Sequence, residues 1–404
     1  MTPLMLNKGP LSGVRVIELG TMVAGPVAAT LLADFGAEVI KVEKPQGGDL
    51  IREVGPRWEG EGLWWNVEGR NKKSITLDLR HPDGKDLLKQ LVRHADVLIE
   101  NFRPGTLSGW GIGYNQLSEE NPALIMASVS GFGQTGPYAE RPAYDRIGLA
   151  FSGYLNATGF SDRPPVRPGF AQADYQSAIV AAFGTMVALF HREARGGSGQ
   201  HLDVTLFESM FRFTDLMTTA ADKLGTKRNR QGNVHFAAAP GDHFETCDGR
   251  FIVLTNSGND NLFAKLCEVM GKPEVAQDER FRTARARGEH ILAINGIVAE
   301  WIKSDSVENI LRALEAAKLP HQLILTIDDI LKDPHYAARG SIATLNHPRL
   351  GPLKMPAPVP RMLGTPAPAL SPAPLLGEHN DEIFGGLLGI DEPILTRLKR
   401  AGII

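Results

Sequence analysis

Apolar positions over the first 130 residues come in two alternating kinds. Short runs rich in Val, Ile and Leu, at 14–19, 39–43, 74–78, 96–100 and 124–130, predict strands. Between them, apolar residues at helical spacing predict helices over 27–35 and 84–93 and a short one over 117–120. Strands alternating with helices in this way predict an open α/β sheet of parallel strands joined by right-handed crossovers. Ligands of such sheets bind beyond the carboxyl ends of the strands. Asn101, Phe102 and the loop 131–136 fall at such ends.

A long apolar segment follows, 179–190, entered through the stretch Gly169-Phe-Ala-Gln-Ala-Asp174. An acidic residue directly before an apolar, Ala-rich segment reads as Asp174 in the first turn of a buried helix, its charge favoured by the helix dipole. A carboxylate held ionised there and facing a dry cleft can attack an activated acyl group, which makes Asp174 a candidate nucleophile. The same spacing also fits a carboxylate that only caps the helix. Beyond Gly196 the pattern predicts a strand at 201–206 and one helix over 207–224, whose Met210, Phe211, Phe213 and Met217 read as core or subunit interface.

From about residue 225 the character changes. A basic loop, Lys227 to Arg230, precedes a strand at 251–255, the flexible stretch Asn256 to Asp260 and helical patterns at 262–270, 290–303 and 306–317. This predicts a smaller separate domain over 225–335, between 1–224 and 336–404. The segment 346–374 is Pro-rich and predicts an extended strap lying on a folded surface, followed by Leu376 to Glu382 and a short terminal helix.

Composition narrows the chemistry. The 404 residues carry a formal charge of −3, which gives no electrostatic reason to expect nucleic acid or an anionic membrane as partner. Cys247 and Cys267 are the only cysteines, so the chain reads as a protein of a reducing compartment, the cytoplasm. Met1 to Pro10 lacks a signal-peptide pattern, and the longest apolar run, 178–190, is too short to span a bilayer. No metal-spaced His cluster occurs. The loop Gly20 to Gly25 is not G-x-G-x-x-G, although Glu43 falls where a ribose-binding acid would, so a bound nicotinamide or flavin dinucleotide is disfavoured.

Several stretches taken in order carry a resemblance: Leu11 to Leu19, Val23-Ala-Gly-Pro26, Gly36 to Glu43, Asn71 to Ser74, Glu100-Asn-Phe-Arg-Pro-Gly105, Ser130-Gly-Phe-Gly133 with Gly136-Pro137, Ala171 to Asp174, and Leu376-Gly-Glu-His379. Together they resemble the family III CoA-transferases over nearly the whole chain. The resemblance implies a Rossmann-like large domain built from both chain ends, an inserted small α/β domain, and two chains interlocked as rings in a homodimer. It implies that Asp174 attacks an acyl-CoA thioester, that an aspartyl anhydride and then an aspartyl-CoA thioester form, and that an acceptor carboxylate takes the CoA. Gly258 and Asn259 would cover the intermediate. Thr21, Ala24, Lys44, Lys72, Asn101, Phe102, Arg103, Tyr144 and Asp145 would lie near the CoA, which is a substrate, with no cofactor tightly bound.

Some positions depart from the family pattern. Thr21 and Val23 stand where a formyl-CoA transferase has His and Gln, and Gly109 and Pro142 stand where some members have basic residues. Val23 makes an oxalate-like acceptor unfavoured. The α-methylacyl-CoA racemases of the same family carry Gly-His-Asp where this chain has Ala143-Tyr144-Asp145, and Tyr144 ionises too high to replace a His that cycles near neutral pH. Transfer is therefore favoured over racemisation. A CoA-binding partner role in a heteromeric transferase is the other alternative. Arg103, Arg141, Arg146 and Arg167 could each pair a second carboxylate, which points to succinyl-CoA as donor and a dicarboxylate such as a substituted succinate as acceptor, with carnitine-like acids as rivals.

Overall fold

The computed structural model describes residues 9–235, 237–256 and 258–404. They divide into two compact units, one of residues 9–154, 167–226 and 338–404, the other of 155–166 and 227–337. Residues 155–166, which fall inside the 1–224 segment, thus group with the second unit.

In the first unit β1 (Arg15–Glu18), α1 (Ala24–Ala33) and β2 (Glu38–Glu43) form the expected β-α-β element. After α2 (Leu63–Glu68) come β3 (Lys72–Thr76), α3 (Pro82–Val92), β4 (Val97–Glu100), α4 (Tyr114–Glu120) and β5 (Ile125–Ser130). Then follow α5 (Asp145–Phe151), α6 (Gln172–Arg195) and β6 (His201–Thr205). Among the described residues these strands make a six-stranded sheet in the order β3-β2-β1-β4-β5-β6, with every pairing parallel. The strand near 74–78 begins earlier than its apolar pattern indicates, because Lys72 and Lys73 pair with Val39 and Ile40 of β2. One face of the sheet buries Ile17, Ile40, Leu98 and Met126 with α3 and the C-terminal residues Phe384, Leu395 and Ile403.

α6 has 24 residues, more than the apolar run 178–190 indicated. By length and composition it could cross a membrane. Here it packs on α1, α5 and the β5–β6 edge, burying a stripe of small residues, Ala173, Ala178, Ala181, Thr185 and Ala188. The large side chains of the same helix, Ile179, Phe183, Val187 and Phe190, are exposed in the chain.

The helix expected over 207–224 is two helices, α7 (Leu206–Phe211) and α8 (Met217–Leu224). Asp215 at the break has a φ of +49°, which no helix accommodates. Of the Met and aromatic set only Met210 is core, while Phe211 and Phe213 are exposed.

The second unit has an antiparallel sheet in which β8 (Phe251–Thr255) lies between β7 (Gly241–Glu245) and β9 (His321–Leu323). Helices α9 (Asp260–Val269), α10 (Ile291–Lys303) and α11 (Val307–Ala316) supply its core with Phe263, Leu266, Val298 and Leu314.

The chain returns to the first unit through a hairpin, β10 (Ile342–His347) and β11 (Gly351–Pro356), in the segment expected to be extended throughout. The remaining strap lies against α2: the Trp65 indole N–H donates to Pro374 O at 3.2 Å, and Ala373 packs on Ile51 and Trp65. The Leu376 to Glu382 stretch then satisfies the edge of β3. His379 N donates to Ser74 O at 2.9 Å and Thr76 N to Asn380 Oδ1 at 2.9 Å. α12 (Glu392–Arg400) ends the chain.

Candidate active site

The carboxyl ends of β1, β2 and β4 carry three loops that fasten one another. The β1–α1 loop turns on Met22, whose φ is +64° and whose N–H donates to Asp49 Oδ1 at 3.0 Å. Asn101 pins the same loop at two points: its Oδ1 accepts from Thr21 N at 2.7 Å and its Nδ2 donates to Thr21 O at 2.9 Å. Gly20 and Gly25 meet back to back, where a Cβ on Gly25 would stand 3.2 Å from Gly20 Cα and 3.4 Å from Asn101. Asn101 is thus a brace of the loop.

Beneath the loops lies a closed set of charges. Lys41 Nζ bonds Glu18 Oε1 at 2.7 Å, Asp49 Oδ2 at 2.7 Å and Gly20 O at 2.9 Å. Lys72 Nζ bonds the other Glu18 oxygen at 2.7 Å and Pro26 O at 2.8 Å. Two cations face two carboxylates, all fully enclosed. Burial lowers the Lys72 pKa, against the pull of Glu18. Lys72, expected near the CoA, lines neither cleft described below and serves the frame instead. The signal for such a role was Lys41 itself, a lysine inside a strand buried on both faces.

Two clefts open above this frame and share Thr21 and Phe102. The first is lined by Lys44, Leu50, Arg80 and Trp110. The paired Lys41, Glu43 and Asp49 and the nearby Asp78 also line it, while its two exposed cations, Lys44 and Arg80, have no ion-pair partner among the described residues. Arg80 and Trp110 escaped the sequence reading because neither sits in a motif, and only the crossover order brings them beside Lys44. The second cleft is lined by Thr21, Val23, Ala24, Asn101, Phe102, Arg103, Ser130, Gly131, Arg141, Tyr144 and Asp174. It gathers most of the expected residues. Arg146 and Arg167 do not line it.

Asp174 is the third residue of α6. The N–H groups that open this helix are taken by another carboxylate: Asp145 Oδ1 accepts from Ala173 N at 2.7 Å and from Asp174 N at 3.4 Å. Asp145, expected beside the CoA, is therefore the buried cap of α6. No hydrogen bond among the described residues reaches the Asp174 carboxylate. Contrary to the expectation of an Asp174 held ionised by helix-end N–H groups, burial and then the Asp145 charge push its pKa up to about 7. A partly desolvated carboxylate with no hydrogen bonds to lose is a stronger nucleophile than one fully solvated or capped.

A profile described as CoA-transferase family III matches residues 11–380. This chain is a family III CoA-transferase. It is 44% identical over 396 residues to the succinyl-CoA:D-citramalate CoA-transferase of Chloroflexus aurantiacus, covering 98% of each chain. It is 40% identical over 400 residues, again 98% of each, to the β subunit of the succinyl-CoA:L-malate CoA-transferase of the same organism. A crystal structure of a CaiB/BaiF family protein from Brucella suis superposes with a TM-score of 0.84 at 35% identity, covering 94% of this chain and 99% of that one.

In this CoA-transferase acyl-CoA is a substrate. Tyr144, expected in the position of the racemase His, is 78% exposed, and its side chain caps no N–H at the start of α5. Gly258 and Asn259 lie in the second unit, where Gly258 has a φ of +77° and Asn259 Oδ1 caps α9 by accepting from Asn261 N at 3.0 Å and Leu262 N at 3.1 Å.

The Asp145 contact has a kinetic signature. The attacking form of Asp174 is the carboxylate, so kcat/KM for acyl-CoA should fall about tenfold per pH unit below about 7. In Asp145→Asn the amide oxygen still accepts from Ala173 N while the repulsion is gone, so the acid limb should move down by roughly half a unit to one unit. A pH profile of kcat/KM in both proteins checks this, and an unmoved limb would exclude Asp145 as a cause of the rise.

Proposed function

We propose that this enzyme transfers CoA from succinyl-CoA to a second dicarboxylic acid, with Asp174 as the covalent relay. The Asp174 carboxylate attacks the thioester carbonyl, giving a mixed anhydride and CoA thiolate. The thiolate attacks the aspartyl carbonyl of the anhydride, expelling succinate and leaving an aspartyl-CoA thioester. The acceptor carboxylate attacks that thioester, forming a second anhydride and freeing the thiolate again. Attack of the thiolate on the acceptor's acyl carbon yields the new acyl-CoA and restores Asp174. The overall exchange of CoA between two carboxylic acids is nearly balanced in free energy, so positioning and exclusion of water carry much of the catalysis.

The observation that carries this reading is the placement of Asp174 in a cleft joined through Thr21 and Phe102 to one with two unpaired cations and an indole. Lys44 and Arg80 suit the phosphates of CoA and Trp110 its adenine ring. Arg103 and Arg141, in the wall of the Asp174 cleft, suit the remote carboxylate of a dicarboxylic substrate. The named substrates of the two Chloroflexus relatives, succinyl-CoA with citramalate or malate, support that class. Two chains interlocked in a dimer would cover the exposed Phe183 and Phe190 of α6, surfaces of a kind soluble monomers seldom leave in water. One relative's designation as a β subunit also supports a second arrangement, a heteromer with a related chain.

The test is intact-protein mass after mixing the purified enzyme with a panel of acyl-CoAs, using hydroxylamine to mark an activated aspartyl group. A hydroxylamine-sensitive adduct at Asp174 with succinyl-CoA, absent with acetyl-CoA, is the expected result. No adduct, together with loss of the α-proton of a branched acyl-CoA to heavy water, would replace transfer with racemisation.

A further inference from the structure

Phe102 stands in both clefts, and the group that holds its backbone is Glu100, the last residue of β4. Glu100 Oε2 accepts from Phe102 N at 2.7 Å. The carboxyl is 4% exposed and points to the sheet face covered by α4, opposite to Glu18. Among the described residues it lines neither cleft and no cation acts on it. Ser128 of β5 pairs with Glu100 in register and its side chain lies beside the carboxyl, and Ser128 Oγ lies 2.8 Å from His201 Nε2 on β6. His201 stacks on Tyr114 of α4 with ring centroids 5.1 Å apart and is exposed to solvent on the edge strand. A row of polar side chains therefore crosses three adjacent strands, from the loop that floors the clefts to the sheet edge.

We propose that Glu100 is the positioning residue of the acyl-CoA-binding loop 101–105, and that Ser128 and His201 connect its buried carboxyl to solvent protons. The inference rests on the reading of the two clefts as the acyl-CoA site. With Glu100 ionised, the Phe102 N–H makes a charge-assisted hydrogen bond, roughly twice as strong as a neutral one. That bond fixes Phe102 and, one residue away, the Asn101 carboxamide that braces Thr21. With His201 in its Nε2–H tautomer, Nε2 donates to Ser128 Oγ and leaves the Ser128 hydroxyl free to donate to Glu100. When Glu100 takes up a proton it becomes a donor itself, the Ser128 hydroxyl turns toward His201, and the loop loses the charged half of its anchor.

The groups acting on Glu100 are few. Burial pushes its pKa up to about 7, Asp203 of β6 adds to the rise, and the Ser128 and Phe102 hydrogen bonds oppose it. Asp203 itself accepts from Gln134 N at 2.9 Å. Burial lowers the His201 pKa, against the pull of Asp203. Burial also raises the Tyr114 pKa, leaving its ring uncharged.

The experiment is calorimetric titration of free CoA into Asp174→Ala protein from pH 6 to 8, with and without Glu100→Gln and Ser128→Ala. The Asp174→Ala background removes the nucleophile's own titration, and protonation of the CoA phosphate is common to every protein. Between pH 8 and 6 the protein with Glu100 should lose about fivefold more affinity than Glu100→Gln, whose amide accepts from Phe102 equally at both. Ser128→Ala removes a donor to the carboxylate and should move the midpoint of the extra loss upward. The same pH dependence with Glu100 and with Gln would overturn the proposal. Failure to bind CoA at any pH is a different result, and would overturn the acyl-CoA reading of the clefts on which it stands.

Discussion

Asp174→Ala should lower transfer from succinyl-CoA by at least about 10⁴-fold, the scale at which loss of a covalent nucleophile is felt. The clefts keep Lys44, Arg80 and Phe102, so CoA should still bind within a few-fold of wild type. The measurement is steady-state transfer beside CoA titration. Residual turnover within tenfold of wild type would remove Asp174 from the mechanism. A second consequence follows for stability. The folded enzyme holds a proton on Asp174 up to about pH 7, whereas the unfolded chain releases it near 4. As pH rises through that window folding loses stability, and the full loss is present above 7. Asp174→Asn should therefore raise Tm at pH 8, by an amount worth on the order of 2 kcal/mol after allowance for partial solvent access, and leave it unchanged near pH 4. An inactive variant more stable than the enzyme is the mark of a site strained for function.

Lys41→Met should cost about 3–5 kcal/mol of folding stability, the scale for removing one partner from a buried charge set. Burial alone would lower the Lys41 pKa, yet Glu18, Asp49 and Glu43 hold it above its ordinary value. Without Nζ, Glu18 keeps only Lys72, and Asp49 keeps two backbone N–H groups for a charge sealed from water. The loops carrying Gly20, Met22 and Asp49 then lose their common anchor. Lys73→Met is the contrasting variant. Its partners Glu38 and Glu382 are about a third and a half exposed, and solvent screening limits the loss to under about 1 kcal/mol. Chemical denaturation of both variants checks the pair. Equal losses would show that burial does not set the worth of these lysines.

The two variants probe different layers of what was readable beforehand. The parallel sheet was legible because a strand covered on both faces must be apolar almost throughout, as in Val97 to Ile99 and Ile125 to Ala127. Asp174 was legible from its place before an apolar helix and from the motifs around it. The break at Asp215 was not, since a left-handed φ at an Asp between helix-forming residues leaves no trace in apolar spacing. The hairpin 342–356 was masked by its prolines, which occupy strand positions Pro352 and Pro356 where a single paired edge tolerates them.

The sequence by itself determined the order of strands and helices, the candidate nucleophile and the family, because each of these is written in residues near one another along the chain. Tertiary structure alone decided which groups those residues meet. Asp145 takes the helix N–H groups that Asp174 was expected to use, and Lys72 closes a buried charge set instead of facing a ligand. Arg80 and Trp110 join Lys44 from separate crossovers. The physical reason is common to the first two. A charge removed from water must find its counter-charges and donors at once, and those partners come from strands that are neighbours in the sheet but far apart in the chain.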